Sequence, residues 1–126
     1  YFFQHAARLG PEPLVAWASL GSPCCSVFVP LRLDAELPAS MTVGADTPAA
    51  DSLWWQCKRL VRWVEKDWAT RLPPLRTTLD AIEEEAGQAM SAAIAQGDAE
   101  TAARASAATV AALERVIAAT LAGESE

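Results

Sequence analysis

The side chains of this chain that could act as nucleophiles are the thiols of Cys24, Cys25 and Cys57 and the hydroxyls of Ser22 and Ser26, which bracket the first two. Such a group attacks a carbonyl only when a base takes its proton and a third group orients that base. His5 is the sole histidine, and no GxSxG elbow surrounds the Ser22-Pro23-Cys24-Cys25-Ser26 run. The cysteines therefore read as small buried hydrophobes, and His5 as a surface or capping residue. Cys24 and Cys25 are adjacent, too close for an unstrained bridge, and the cysteine total is odd; both facts point to a reducing, cytoplasmic setting. With no CxxC pair and no ligand near His5 at metal spacing, no metal site is expected. The run Glu83-Glu84-Glu85 reads as the solvated flank of a helix. No residue of this chain is assigned a catalytic role, and no cofactor is implied.

The tryptophans are more informative. Trp54, Trp55, Trp63 and Trp68 fall within fifteen residues, and indoles at that density anchor a core or form a docking surface. Trp54 and Trp68 lie on or beside an apolar helical stripe and are expected to pack against strands. Trp55 and Trp63 fall outside the stripe and are the candidates for contact with another segment or a partner.

The whole-chain properties limit what such a surface could meet. The chain has 126 residues, 52% of them hydrophobic and 21% charged, which suits one packed domain with a true core. Its net charge of -6 argues against nucleic acid, because phosphate binding needs clustered positive charge. Apolar stretches fall short of the roughly 18 residues of a membrane span. Tyr1-Phe2-Phe3-Gln4-His5 has no basic n-region or cleavage pattern, so no signal peptide is expected, and the absence of an initiator Met suits a processed form or a fragment. Alanine enrichment and the preference for Arg over Lys fit a GC-rich bacterial genome and carry no mechanism.

The elements that must position these residues divide near residue 50. Six of the eight prolines precede it, and helix-forming residues dominate after it, giving a strand-containing segment, 1–50, and a helical segment, 51–126. Residues 1–9 read as the end of a short helix stopped by Gly10-Pro11. Residues 14–20 and 24–33 read as antiparallel strands joined through Gly21-Ser22-Pro23, with Pro30 placing the second at an edge or a break. Three helices are expected at about 51–71, 75–96 and 98–122. The first starts at Asp51 or Ser52, carries Leu53, Cys57, Leu60, Val61, Val64 and Trp68 on one face, and stops before Pro73-Pro74. The second has Leu75, Leu79, Ile82, Ala86, Met90 and Ala93 on one face and ends at Gly97. Asp98 caps the third, whose expected face is Ala99, Ala103, Ser106, Val110, Leu113, Ile117 and Leu121. The fold class is α+β, with two antiparallel strands followed by three helices.

Four pieces of this pattern bring a family into view. Trp17-Ala18-Ser19-Leu20-Gly21-Ser22-Pro23-Cys24, Ser26-Val27-Phe28-Val29-Pro30-Leu31, Leu37-Pro38 and Ser52-Leu53-Trp54-Trp55 resemble, in that order, the C-terminal part of the secernin and dipeptidase-A-like cysteine hydrolases of the N-terminal-nucleophile superfamily. The resemblance covers roughly residues 14 to 68. It implies a cofactor-free cysteine amidohydrolase with a four-layer αββα sandwich that cleaves dipeptides or related amides. In that family the nucleophile is a cysteine at the mature N-terminus whose own α-amino group is the base. This chain starts with Tyr1, so no catalytic residue carries over. The implied reading is the C-terminal portion of a longer hydrolase, contributing two strands and an outer helical layer. Its partners would be the remainder of the parent chain and, in that parent, a small peptide or amide substrate. The alternatives are a non-enzymatic helical interaction module and a self-contained enzyme using Cys24 or Cys57.

Overall fold

The computed structural model describes residues 2–4, 15–44 and 46–123. His5, Leu14, and the Gly10-Pro11 stop of the expected N-terminal helix lie outside them. Within the described residues the order is β1 (Phe2–Gln4), β2 (Val15–Ala18), β3 (Val29–Arg32), α1 (Leu53–Glu65), α2 (Trp68–Gln96) and α3 (Ala99–Leu121), with 3₁₀ turns at Pro23–Cys25 and Ala39–Met41.

The antiparallel β2–β3 pair forms as expected, from Val15 opposite Arg32 to Ala18 opposite Val29. Residues 2–4 form a third strand rather than helix, pairing antiparallel with β2 from Phe2 opposite Trp17 to Gln4 opposite Val15. Consecutive aromatic residues favour extended backbone, and the second edge of β2 supplies the ladder. The strands are shorter than the sequence suggests, because Pro23 opens a 3₁₀ turn in which Cys25 N–H donates to the Ser22 carbonyl at 3.0 Å. Cys24 and Cys25 therefore sit in a turn, not in a strand.

Pro30 shows how β3 tolerates a residue without an N–H. Its carbonyl accepts the hydroxyl proton of Ser106 on α3, and Ser106 is buried. In extended backbone the N and C=O of one residue face the same edge, so the missing N–H falls on the edge that α3 covers. A helix thus closes the open side of the sheet, leaving every residue of β3 buried.

Helix α1 buries Leu53, Cys57, Leu60 and Val64, one side of a 3.6-residue repeat. Ser52 stands at the N-cap, but its buried hydroxyl makes no capping hydrogen bond. The first helix does not run to residue 71. It ends at Glu65, and Lys66-Asp67 form the break, Asp67 with φ −158 and ψ 72. Pro73 and Pro74, expected to precede a helix, lie inside α2. The rings remove hydrogen bonds that would fall on the Ala69 and Thr70 carbonyls, and those two residues are exposed, so water replaces the lost partners.

The α2 face is Leu75, Leu79, Ala86, Met90 and Ala93, as the repeat requires, with Ile82 packed at the core's margin. Gly97 ends the helix in the left-handed region at φ 72, and its N–H reaches the carbonyls of Ala93 and Ile94. The Asp98 carboxylate then accepts from Glu100 N–H at 2.9 Å and from the Thr101 hydroxyl at 3.1 Å. These hydrogen bonds hold its carboxyl below the ordinary range, the Glu100 amide first. The buried face of α3 is rotated from expectation in its N-terminal half. Ala102, Ala105 and Thr109 are buried there, and Ala99 and Ala103 only partly, because α3 lies on both α2 and β3 and closes on each through small side chains.

The main core joins Cys25, Val27, Val29 and Leu31 to the α1 stripe, to Leu75 and Leu79, and to Val110, Leu113 and Ile117. A smaller cluster of Val15, Met90, Ala93, Ala102 and Ala105 fills the other end. Replacing Ser106 by Ala would leave the Pro30 carbonyl buried without its donor, and the unfolding midpoint in denaturant should fall by an amount worth about 1–3 kcal/mol. Ser106→Cys, which retains only a weak donor, should fall between the two.

Candidate functional site

The nucleophile candidates and the tryptophan candidates occupy different places. The turn from Gly21 to Ser26 packs on α1. Gly21 has φ 77, and a Cβ there would come within 3.2 Å of Cys57 Cβ, so both its conformation and its closeness require glycine. Ser26 Oγ and Cys57 Sγ lie 3.7 Å apart, both residues fully buried. Burial pushes the Cys57 thiol up to about 11, against a smaller opposing effect of the Ser26 hydroxyl. Cys25 is also raised, by burial first and by neighbouring Cys24 second. A thiol acts as a nucleophile through its thiolate, and at about 11 roughly one Cys57 in ten thousand is ionised near neutrality. Cys24 is the exposed thiol. No histidine stands among the described residues, and no group of His, Cys, Asp or Glu among them could hold a metal ion. This cluster is a packing junction.

One cation holds that junction. Arg76 on α2 reaches the turn, and its Nη1 lies 3.0 Å from the carbonyl oxygens of Pro23, Cys24 and Ser26. Its Nε donates to Asp80 and its Nη2 to Glu83, each at 2.7 Å. Glu83 is therefore engaged, whereas Glu84 and Glu85 face water as the sequence suggests. The i,i+4 and i,i+7 spacing of Arg76 to its carboxylates is visible in the sequence. The carbonyls it gathers, fifty residues away, are not.

The four indoles divide differently from expectation. Trp54 and Trp68, expected in the core, are each 42% exposed, and Trp55 and Trp63 are half-buried. Trp68 lies beyond the Lys66-Asp67 break and so leaves the α1 stripe. Trp54 turns off that stripe and meets Trp55 edge to face, centroids 4.8 Å apart, with Lys58 5.8 Å from its ring. The Arg71 guanidinium lies 4.3 Å from the Trp63 ring and donates to the Trp63 carbonyl at 2.7 Å. It thereby closes the C-terminal end of α1 across the break.

Trp55 and Trp63 line one hollow of about 330 Å³ together with Pro48, Arg59, Arg62, Lys66 and Leu121. Trp63 also lines a second hollow of about 430 Å³, with Thr70, Arg71, Thr78 and Val116. The cationic row Arg59, Arg62 and Lys66 had gone unremarked in the sequence, although its i, i+3, i+7 spacing places it on one face of α1. No helix among the described residues is long and apolar enough to cross a membrane. Comparison of the chain with protein-family models, with curated proteins and with solved structures finds no match in any of the three.

In the native protein an alkylating reagent should label Cys24 alone, and all three cysteines should react after denaturation; rapid native labelling of Cys57 would contradict its burial. The unfolded chain loses the Cys57 proton near 9.0 and the folded chain near 11. The stability that protonated Cys57 contributes is thus complete below about pH 9 and lost as pH climbs toward 11, beyond what a Cys57→Ala variant loses. Replacing Arg76 by Ala should cost about 2 kcal/mol in denaturant melts. Arg76→Lys should recover only part of it, since one ammonium cannot span three carbonyls and two carboxylates.

Proposed function

We propose that this chain is the C-terminal, non-catalytic portion of a dipeptidase-like cysteine amidohydrolase, whose nucleophile and oxyanion donors come from the remainder of a longer chain. The observation that carries the reading is spatial. The four segments bearing the family resemblance, though spread over some forty residues, pack into one unit. β2 pairs with β3, Leu53 joins Val27, Val29 and Leu31 in the main core, Gly21 and Ser26 close on Cys57 one turn further along α1, and Pro38 is buried beside an exposed Leu37. Segments kept for one structural purpose are expected to meet in this way.

In the proposed parent, the thiolate of the N-terminal cysteine attacks the amide carbonyl carbon. Its α-amino group takes the thiol proton and returns it to the departing amine, and water then hydrolyses the thioester. Peptide or related amide substrates follow from that chemistry, and no cofactor takes part. This chain supplies strands and an outer helical layer, and its own buried thiols, held protonated, do not compete.

The test is activity as a function of chain length. The 126-residue chain should be silent against a dipeptide panel, and a longer native product that begins with cysteine after processing should turn over and be inactivated by alkylation. Turnover by the short chain that alkylation abolishes would instead favour a self-contained enzyme. An intact native mass equal to that of residues 1–126 would favour the interaction-module reading.

A further inference from the structure

Arg32, Arg76 and Arg104 each pair with nearby carboxylates. Against a net charge of -6, the hollow beside Trp55 and Trp63 is lined by Arg59, Arg62 and Lys66, with no carboxylate among its described lining residues. At about 100° per residue these five positions lie roughly 180–280° around α1 from Leu53, opposite the buried stripe. Trp63 also packs against the margin of the main core, but core packing does not account for the placement of Arg59, Arg62 and Lys66. Arg62 and Lys66 stand in the last turn and at the C-cap of α1, where cations are favoured, and Arg71 donates to the Trp63 carbonyl there.

We propose that this hollow binds an extended acidic peptide segment, with a large apolar side chain between the Trp55 and Trp63 indoles over Leu121 and carboxylates on Arg62 and Lys66. Four arguments select that occupant. Arg62 and Lys66 are one helical turn apart, about 6 Å along the axis, and alternate side chains of an extended peptide repeat at about 6.6 Å. The match calls for acidic residues at positions i and i+2. Indole walls favour an apolar anchor, which an inorganic anion would leave unused. A volume of about 330 Å³ holds one large side chain. A densely charged polyanion would also feel the acidic remainder of the surface, whereas two carboxylates seated here lie within a Debye length, about 8–10 Å, of the local cations. The inference stands independently of the hydrolase reading, because it concerns binding by the 126-residue chain itself.

The probe is a fluorescein-labelled, end-blocked peptide of the order Leu-Ala-Glu-Ala-Glu, in which the Leu and both Glu share one face of an extended chain, titrated with the full chain and followed by fluorescence anisotropy. Its counterpart, Leu-Ala-Gln-Ala-Gln, serves as the neutral control. Saturable binding that weakens with salt is expected. The neutral peptide, and the Arg62→Gln/Lys66→Gln double variant with the acidic peptide, should each bind at least about fivefold more weakly. Trp55→Ala should weaken binding and Trp55→Phe should restore most of it, with circular dichroism showing each variant folded. Equal affinity for the two peptides, or unchanged binding by the double variant, would overturn the proposal. Displacement by inorganic phosphate beyond that by chloride at matched ionic strength would reassign the hollow to a small anion. Concentration-dependent dimerisation abolished by the double variant would reassign it to a second copy of this chain.

Discussion

Strand β3 is buried at all four of its residues, and the placement of the other elements follows from that constraint. A strand enclosed on both faces and along one edge needs three kinds of cover. β2 supplies the ladder, α1 and α2 contribute to the core around Val29 and Leu31, and α3 closes the outer edge, where Pro30 has no N–H to offer. The Ser106 hydroxyl meets the one carbonyl that this edge would otherwise leave unpaired at Pro30. Small side chains in the first half of α3, Ala102 and Ala105 among them, let the helix come close enough for that bond. The alanine-rich texture of the last helix therefore has a packing cause beyond composition.

A polar interaction complements this apolar enclosure. The loop between β2 and β3 turns back through a 3₁₀ segment whose carbonyls point away from any strand, and Arg76 collects three of them while Asp80 and Glu83 balance its charge. Arginine suits this position because its planar, permanently charged fork serves several acceptors at once. The same turn brings Ser26 and Cys57 together in a dry interior, and burial then makes Cys57 a weak acid. Buried there, Cys25 and Cys57 are weak acids that serve packing, while Cys24 stays exposed.

The surface of α1 has a separate logic. One side of the helix is apolar and enclosed, and the other carries Arg59, Arg62 and Lys66 beside two half-buried indoles. The break at Lys66-Asp67 turns the chain so that Arg71 can return to the last turn of α1, stacking on Trp63 as it does so. The position of Trp63, which lines both hollows, depends on that return.

Local pattern determined much of this architecture. The antiparallel pairing of residues near 15–18 and 29–32, the faces of α1 and α2, and the Gly97-Asp98 reversal follow from residue periodicity, the left-handed freedom of glycine and the capping power of aspartate. The helix faces and the reversal depend on neighbours within a few residues, and the strand pair on one short connection. What local pattern did not determine was set by distant contacts. Phe2–Gln4 became a strand because β2 offered an edge. Pro73 and Pro74 were absorbed into α2 because the carbonyls they deprive face water. Trp68 stayed partly exposed because a two-residue break, and not the prolines, ended the first helix, and Trp54 because it turns off the buried stripe toward Trp55. The Arg76 carbonyl cluster, the Ser106–Pro30 hydrogen bond and the hollow beside Trp55 and Trp63 each join groups from separate elements. Sequence spacing specifies which residues share a face of one helix, but which face meets which partner is decided when apolar surfaces and unpaired polar groups from the whole chain must be satisfied together.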